Sequence, residues 1–200
     1  MENISEEKYW TDRYSLRNTG WDIGYASPPL TEYIDQLEDK NIKILIPGAG
    51  NGYEAEYLIN KGFTNVYVLD ISILPLQNIV SRIGRNPYLH IIHEDFFSHE
   101  GKYDLIIEQT FFCSFSPTEK LRKAYAKKMK NLLSAEGKLV GVWFNLPLEK
   151  TKQRPYGGDK NLYLSYLDPY FDIISFETAY NSIKPRKDNE LFGIFKKKHL

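Results

Sequence analysis

A glycine-rich turn directly after a short apolar run is the feature that most constrains the fold. The run 42–46 is rich in β-branched residues, which predicts a strand buried on both faces of a parallel sheet. Pro47 ends the run, and Gly48, Gly50 and Gly52 follow at every second position. Because glycine has no Cβ, such a turn can be tight and can approach a ligand closely.

A helix and a second strand follow this turn and complete a βαβ unit. Helical periodicity begins at Tyr53, and Gly62 is predicted to end the helix. The apolar run 66–70 then closes on Asp70, about twenty residues beyond the turn. At that separation a carboxylate can reach the ribose hydroxyls of a nucleotide bound across the turn. The unit therefore predicts a nucleoside ligand.

The turn lacks the third glycine of the dinucleotide fingerprint. The pattern G-x-G-x-x-G requires glycine three residues after Gly50, where this chain has Tyr53. A tyrosine there would obstruct the approach of a pyrophosphate to the helix N-terminus. The turn looks more like the S-adenosylmethionine loop of class I methyltransferases, whose ligand has no phosphate.

Composition and charge limit the classes of partner. The 200 residues, 42% hydrophobic, predict one domain over residues 1–200 with a substantial core. The 26 basic and 26 acidic residues cancel, which argues against a nucleic-acid partner. Cys113 is the only cysteine, so no internal disulfide can form. The N-terminus does not resemble a signal peptide, and no apolar run reaches the ~20 residues that span a bilayer. We expect a cytoplasmic monomer with no membrane partner.

The rest of the chain predicts five more strands and a long helix. The strands are 89–93, 103–109, 138–144, 171–180 and 190–197, and a helix over 118–133, ended by Gly137, precedes the third of these. The last two strands are close enough for an antiparallel hairpin. His90 and His93 fall on opposite faces of their strand, so a shared metal is not expected.

Ligands of open α/β sheets lie outside the carboxyl ends of the strands. Asp95 and Phe96 follow the strand 89–93 and are therefore expected near the base of a nucleoside. Asp95 as a simple turn cap is the alternative. The polar segment 145–160 is long enough to be a functional loop.

The N-terminal segment 1–38 is rich in aromatic residues and predicts two helices, beginning at Ser5 and at residues 27–30. Trp10 and Tyr14 are four residues apart and share a helical face. They could simply pack the helix onto the sheet. Alternatively they cover the nucleoside site, since an aromatic face attracts a sulfonium cation by ~0.5–2 kcal/mol.

Seven short motifs, in this order and spacing, resemble the thiopurine S-methyltransferase superfamily, and most closely its branch of plant halide/thiol methyltransferases. They are Tyr9-Trp10 with Tyr14, Gly20-Trp21-Asp22, Pro47-Gly-Ala-Gly50, Leu69-Asp-Ile-Ser72, Glu94-Asp-Phe-Phe97, Phe111-Phe-Cys113 and Pro185-Arg186. The resemblance implies a Rossmann-like α/β fold. Its seven-stranded, mostly parallel sheet would have an antiparallel last strand, helices on both faces and residues 1–38 as an N-terminal helical cap.

The resemblance also implies S-adenosylmethionine as cofactor. In the family, Trp10 and Trp21 would border it, Asp70 would bind its ribose, and Asp95 with Phe96 would bind its adenine. The complete set of cofactor residues that it implies is Trp10, Tyr14, Trp21, Gly48, Gly50, Asp70, Ile71, Asp95, Phe96 and Glu108. The acceptor pocket departs from the family pattern, because Gly157-Gly158 continues as Asp159-Lys160 rather than as Pro-Pro-aromatic.

The implied reaction is in-line methyl transfer to a small soft nucleophile such as a thiol, sulfide, aromatic thiol or halide. Alignment and desolvation would supply most of the rate, so no catalytic acid or base is predicted. Residues hypothesised to line the acceptor site are Trp21, Arg154, Tyr156 and Arg186, and Cys113 is expected to be buried rather than nucleophilic. Two alternatives remain: a nicotinamide-dependent oxidoreductase, and a non-catalytic nucleoside-binding or regulatory protein.

Overall fold

A seven-stranded sheet runs through the computed structural model, which describes residues 6–147 and 153–199. The strands are β1 (Ile44–Pro47), β2 (Val66–Asp70), β3 (Leu89–His93), β4 (Tyr103–Gln109), β5 (Leu133–Phe144), β6 (Phe171–Thr178) and β7 (Glu190–Lys197). Their order is β3-β2-β1-β4-β5-β7-β6. β1 to β5 pair in parallel, and β7 runs antiparallel to both β5 and β6. The predicted sheet with its antiparallel last strand is confirmed.

Helices cover both faces of the sheet. They are α1 (Glu6–Ser15), α2 (Pro28–Asp35), α3 (Tyr53–Asn60), α4 (Ile73–Ile83), α5 (Glu119–Leu132) and α6 (Lys160–Leu167). Side chains alternate along each strand, so Ile44 and Ile46 pack towards α2, α3 and α4 while Leu45 packs towards α5 and α6. Each face therefore has its own apolar core.

The start of β5 differs from the sequence prediction. The strand begins at Leu133, immediately after α5, and not at Lys138, so Gly137 lies inside it. Pairing with β4 moves from Tyr103↔Leu133 to Leu105↔Lys138, which leaves extra residues in β5 as a bulge. A Cβ on Gly137 would lie 3.0 Å from the carbonyl oxygen of Tyr103. The glycine serves this close approach between strands, and a local pattern could not distinguish it from a helix end.

Helix α1 lies across the carboxyl ends of two strands. The Oγ1 atom of Thr11 lies 2.9 Å from the Oγ atom of Ser72, just after β2. A carboxylate oxygen of Glu7 lies 3.7 Å from His93 Nε2, at the end of β3. The predicted N-cap Ser5 and the middle of the predicted 145–160 loop lie outside the described residues. Within residues 6–147 and 153–199, no helix has the length and apolarity that crossing a membrane requires.

Candidate active site

A cavity of about 660 Å³ lies between α1 and the carboxyl ends of β1 to β4, within the size range of small-molecule sites. Its wall contains most of the predicted site residues: Trp10, Tyr14, Trp21, Gly48, Asp70, Ile71, Asp95, Phe96, Arg154 and Arg186. Gly50, Glu108 and Tyr156 are not on the wall.

The glycine turn begins at the cavity wall beside β1, where Gly48 lines the cavity. Gly48, Gly50 and Gly52 all adopt left-handed backbone angles, with φ of 58°, 53° and 62°. A Cβ on Gly48 would lie 2.1 Å from the ring of Phe111, and one on Gly50 would lie 2.8 Å from the hydroxyl of Tyr14. The turn is thus packed tightly against two aromatic side chains, which explains why glycine is required there.

Substitution of Gly48 by alanine is expected to lower both stability and ligand affinity. The left-handed conformation costs about 1–2 kcal/mol for any residue with a Cβ, and the contact with Phe111 must also be relieved. Gly62→Ala is the matched control, because Gly62 has φ of 86° and open space around its Cβ position. Thermal unfolding should show a larger loss for Gly48→Ala than for Gly62→Ala. Equal losses would mean that the Phe111 contact costs nothing.

Asp70 lies at the end of β2 and is 8% exposed. Its Oδ2 accepts a hydrogen bond from the Gly50 amide at 3.0 Å, and its Oδ1 accepts one from the Ser72 amide at 2.9 Å. Burial raises the pKa of Asp70 to about 6, although these backbone donors oppose the rise. The side chain therefore ties the glycine turn to β2 and is ionised at neutral pH. Burial and the nearby Asp70 carboxylate also raise the pKa of Tyr14.

Asp95, after β3, has both of the roles that the sequence left open: it caps a turn and it lies at the site. Asp95 is a turn cap, since its Oδ1 accepts hydrogen bonds from the amides of Phe97 at 2.8 Å and Ser98 at 3.3 Å. It also lines the cavity, next to Phe96. Phe96 is 4% exposed and packs edge-on against Phe111 at 5.2 Å between ring centroids. This end of the cavity therefore offers an apolar surface beside a carboxylate.

The N-terminal aromatic side chains pack together and line the cavity at the same time. The ring of Trp21 meets Trp10 edge-on at 5.4 Å and Tyr14 edge-on at 5.9 Å. The Arg154 guanidinium lies 4.4 Å from the ring centroid of Tyr9 and forms an ion pair with Glu6 at 2.6 Å. These contacts hold α1 over the strand ends.

Two arginines fix the wall opposite β2 and β3. The Nε atom of Arg154 donates to the carbonyl oxygen of Ser114, in the loop after β4, at 2.6 Å. The Nη1 atom of Arg186 forms an ion pair with buried Glu190 at 3.1 Å, and its Nη2 atom donates to the carbonyl oxygen of Trp21. Both cations are therefore neutralised by neighbouring carboxylates.

Glu108 lies in the core behind the cavity and is fully buried. One carboxyl oxygen accepts a hydrogen bond from the Phe112 amide, and the other is buried beside Tyr125. Burial raises the pKa of Glu108 to about 8. The structure therefore does not bring this side chain to the wall where the resemblance implied a cofactor contact.

Tyr156 and Gly50 contribute backbone hydrogen bonds beside the cavity. The Tyr156 amide donates to the carbonyl oxygen of Cys113 at 2.8 Å, and the Gly50 amide donates to Asp70. Cys113 borders the cavity, and its thiol donates to the carbonyl oxygen of Thr110 at 2.7 Å. Burial raises the pKa of the Cys113 thiol, so it stays protonated and is a poor nucleophile.

Several residues of the wall were not predicted from the sequence. They include Glu6, Tyr9, Arg13, Glu94, Phe111 and Phe115. The helical spacing that paired Trp10 with Tyr14 also places Glu6 and Arg13 beside them, so the sequence of α1 could have predicted both residues at the site. Glu94 directly precedes Asp95 after β3, so the strand-end argument that placed Asp95 near the site also applied to it. Its Oε2 lies 2.8 Å from His99 Nδ1. In the described parts of the chain, no group of three His, Cys, Asp or Glu side chains could hold a metal.

The donor set suits a nucleoside with a cationic sulfur better than a dinucleotide. A pyrophosphate would need the amides of the glycine turn, but the Gly50 amide already binds Asp70. Carboxylates at the ends of β2 and β3 suit ribose hydroxyls and an adenine amino group, and the aromatic rings suit a sulfonium.

Comparison with known proteins agrees with this assignment. A family profile described as thiopurine S-methyltransferase matches residues 5–196. The chain is 30% identical over 194 residues to "Probable thiol methyltransferase 2" of Arabidopsis thaliana, covering 94% of this chain and 84% of the relative. It is also 30% identical over 197 residues to "Thiocyanate methyltransferase 1" of Brassica oleracea, covering 96% and 84%.

Solved structures of methyltransferases share the fold. The Burkholderia thailandensis 1,6-didemethyltoxoflavin-N1-methyltransferase, solved with S-adenosylhomocysteine, superposes with a TM-score of 0.76 at 14% identity, covering 96% of this chain and 87% of the other. The magnesium protoporphyrin IX methyltransferase of Synechocystis PCC 6803, solved with S-adenosylmethionine, gives 0.73 at 15% identity, covering 99% and 100%. At these identities the likeness concerns the fold.

Proposed function

The chain belongs to the thiopurine S-methyltransferase family and is an S-adenosylmethionine-dependent S-methyltransferase, and from this premise we propose that its acceptor is a small soft anion. Thiocyanate, hydrosulfide and small thiolates are the candidates. The curated relatives are named for a thiol and for thiocyanate, and both acceptors carry sulfur. Family membership excludes both alternatives that the sequence left open, a nicotinamide-dependent oxidoreductase and a non-catalytic nucleoside-binding or regulatory protein.

The position of each side chain on the cavity wall indicates which part of the cofactor it would bind. We assign Asp70 to the ribose, Asp95 and Phe96 to the adenine, and the rings of Trp10 and Trp21 to the region of the sulfonium. When bound, S-adenosylmethionine supplies a methyl group that a positively charged sulfur has already activated. The protein's own task is to orient the two reactants and to exclude water from the space between them.

Within residues 6–147 and 153–199, the acceptor side of the cavity offers no unpaired proton acceptor, and this observation carries the proposal. That side, towards β4 and β5, is lined by Phe111, Phe144 and the guanidinium groups of Arg154 and Arg186. Its carboxylate, Glu6, is already paired with Arg154. No histidine of the described residues lines the cavity. A nucleophile entering here meets no unpaired proton acceptor among the described residues of this side, so we expect it to arrive as an anion.

An S-adenosylhomocysteine-release screen tests this proposal. We expect turnover with thiocyanate, hydrosulfide, iodide or small and aromatic thiols, and none with amines or alcohols of similar size. Turnover restricted to amines or alcohols would contradict it, and so would no turnover with any soft anion.

The pH dependence of this screen is an internal control. An aliphatic thiol has a pKa of about 8.5, so its kcat/KM should rise about tenfold per pH unit below that value. Thiocyanate is an anion throughout, so its kcat/KM should stay flat between pH 7 and pH 8.5. A flat profile for the thiol would indicate a proton acceptor on the enzyme.

We also propose that the enzyme works as a cytoplasmic monomer on a small molecule and not on nucleic acid. The equal numbers of basic and acidic residues support the last point, because a polyanion would be attracted by a cationic surplus.

A further inference from the structure

Arg13 differs from the other cations of the cavity wall. Arg154 is paired with Glu6, and Arg186 is paired with Glu190. Arg13 lines the same cavity, but within residues 6–147 and 153–199 it forms no ion pair. Its guanidinium donates one hydrogen bond, from Nη2 to the hydroxyl of Tyr9 at 3.0 Å. A guanidinium has five N–H donors, so most of them remain to bind an anion.

The faces of α1 show which part of the cavity Arg13 serves. Glu7, Thr11 and Tyr14 share the face that contacts the cofactor strands, through His93, Ser72 and the glycine turn. Glu6, Tyr9 and Arg13 form a neighbouring strip.

That strip contacts Arg154, which is anchored to the loop after β4 by its bond to Ser114. Arg13 therefore lies on the strip whose members Glu6 and Tyr9 contact Arg154, beside the face of α1 that contacts the cofactor strands.

The chemistry of methyl transfer argues against a bond between Arg13 and the nucleophilic atom itself. The negative charge of a thiolate disappears as the S–C bond forms, so a cation on the sulfur would stabilise the ground state more than the transition state. A planar guanidinium fork also matches a carboxylate better than a single soft atom.

We infer that Arg13 binds a carboxylate elsewhere on the acceptor, and that the preferred acceptors are small thiols carrying a carboxylate. This inference rests on the proposed function, because it specifies the substrate class of the same site. Arg13 would select such thiols, while Arg154 and Arg186 remain engaged in holding the wall.

A matched pair of thiols tests this inference: 3-mercaptopropionate and 3-mercapto-1-propanol, which differ in the carboxylate. We expect the kcat/KM of the unaltered enzyme, corrected for the fraction of each thiol that is ionised, to be higher for 3-mercaptopropionate by about tenfold or more. Arg13→Gln should bring this ratio close to one, and Arg13→Lys should restore part of it. Arg17→Gln is the matched control, since Arg17 is exposed and is not on the wall.

Arg13 could bind either the carboxylate of the cofactor or a carboxylate of the acceptor, and calorimetry distinguishes these two possibilities. The Arg13→Gln variant should bind S-adenosylhomocysteine within about threefold of the unaltered protein, while the complex loses its preference for 3-(methylthio)propionate over 3-(methylthio)-1-propanol. Weaker binding of S-adenosylhomocysteine would assign Arg13 to the cofactor and overturn the inference. Equal turnover losses for both thiols would overturn it too. If no thiol or soft anion is turned over, the proposed function fails, and the calorimetric preference still decides the role of Arg13.

Discussion

Asp70→Ala is expected to lower the affinity for S-adenosylhomocysteine by about 100-fold or more and to abolish turnover at ordinary cofactor concentrations. A hydrogen bond to a charged group contributes about 1.5–3 kcal/mol, and a ribose offers two hydroxyls to one carboxylate. The variant also removes the acceptor of the Gly50 and Ser72 amides, which holds the glycine turn against β2. Isothermal titration calorimetry measures the loss, and thermal unfolding shows whether the fold is kept.

The pH dependence of binding gives a second measure of the same side chain. The pKa of Asp70 is raised to about 6 by burial, and ribose hydroxyls donate to the ionised form. Affinity should therefore be constant above pH 6 and fall as pH drops below it, by up to tenfold per unit. Asp70→Asn should bind weakly at every pH and lose this dependence.

The control for both measurements is Asp35→Ala. It removes an exposed carboxylate of α2 that pairs with Lys61 and is not on the cavity wall. An Asp70→Ala protein that binds S-adenosylhomocysteine as tightly as Asp35→Ala would exclude the ribose assignment.

The sheet and the location of the site could be predicted because they depend on local patterns. Short apolar runs predict strands, and Asp70 and Asp95 follow two of them directly, so the parallel topology brings both carboxylates to one edge. The glycine turn could also be predicted, since left-handed angles at Gly48 and Gly50 require residues without a Cβ. The positions of these carboxylates and the backbone angles of these glycines depend on residues that are near them in the sequence.

The features that could not be predicted depend on contacts between distant segments. The ion pair of Arg154 with Glu6 joins residues 148 positions apart, and no spacing rule predicts it. The bulge at the start of β5 depends on how Tyr103 pairs with Leu133. The same limit applies to Glu108, whose place on β4 was predicted although its burial behind the wall was not.

Burial of Glu108 has a large expected effect on the pH dependence of stability. Its pKa is about 8 in the folded protein and about 4.3 when the chain is unfolded. The folded state thus holds a proton that the unfolded state releases between those values. The contribution of this group to the unfolding free energy is complete below pH ~4 and is lost as pH rises towards 8, by up to about 1.4 kcal/mol per unit.

Glu108→Gln should remove this loss, because the amide is neutral at every pH and its oxygen can still accept from the Phe112 amide. We expect the variant to be more stable than the unaltered protein at pH 8, by about 2–4 kcal/mol, and to have a flatter stability profile between pH 5 and pH 8. Urea unfolding at several pH values measures both. The control is Glu38→Gln, at an exposed position, which should leave the profile unchanged.

The same variant decides whether Glu108 serves the cofactor or the core. Since its side chain is fully buried and is not on the cavity wall, Glu108→Gln should bind S-adenosylhomocysteine within about threefold of the unaltered protein. A loss as large as that of Asp70→Ala would mean that the carboxyl group reaches the cofactor, as the family resemblance implied. Unchanged affinity together with a flattened stability profile would assign Glu108 to the core, where burial favours its protonated form.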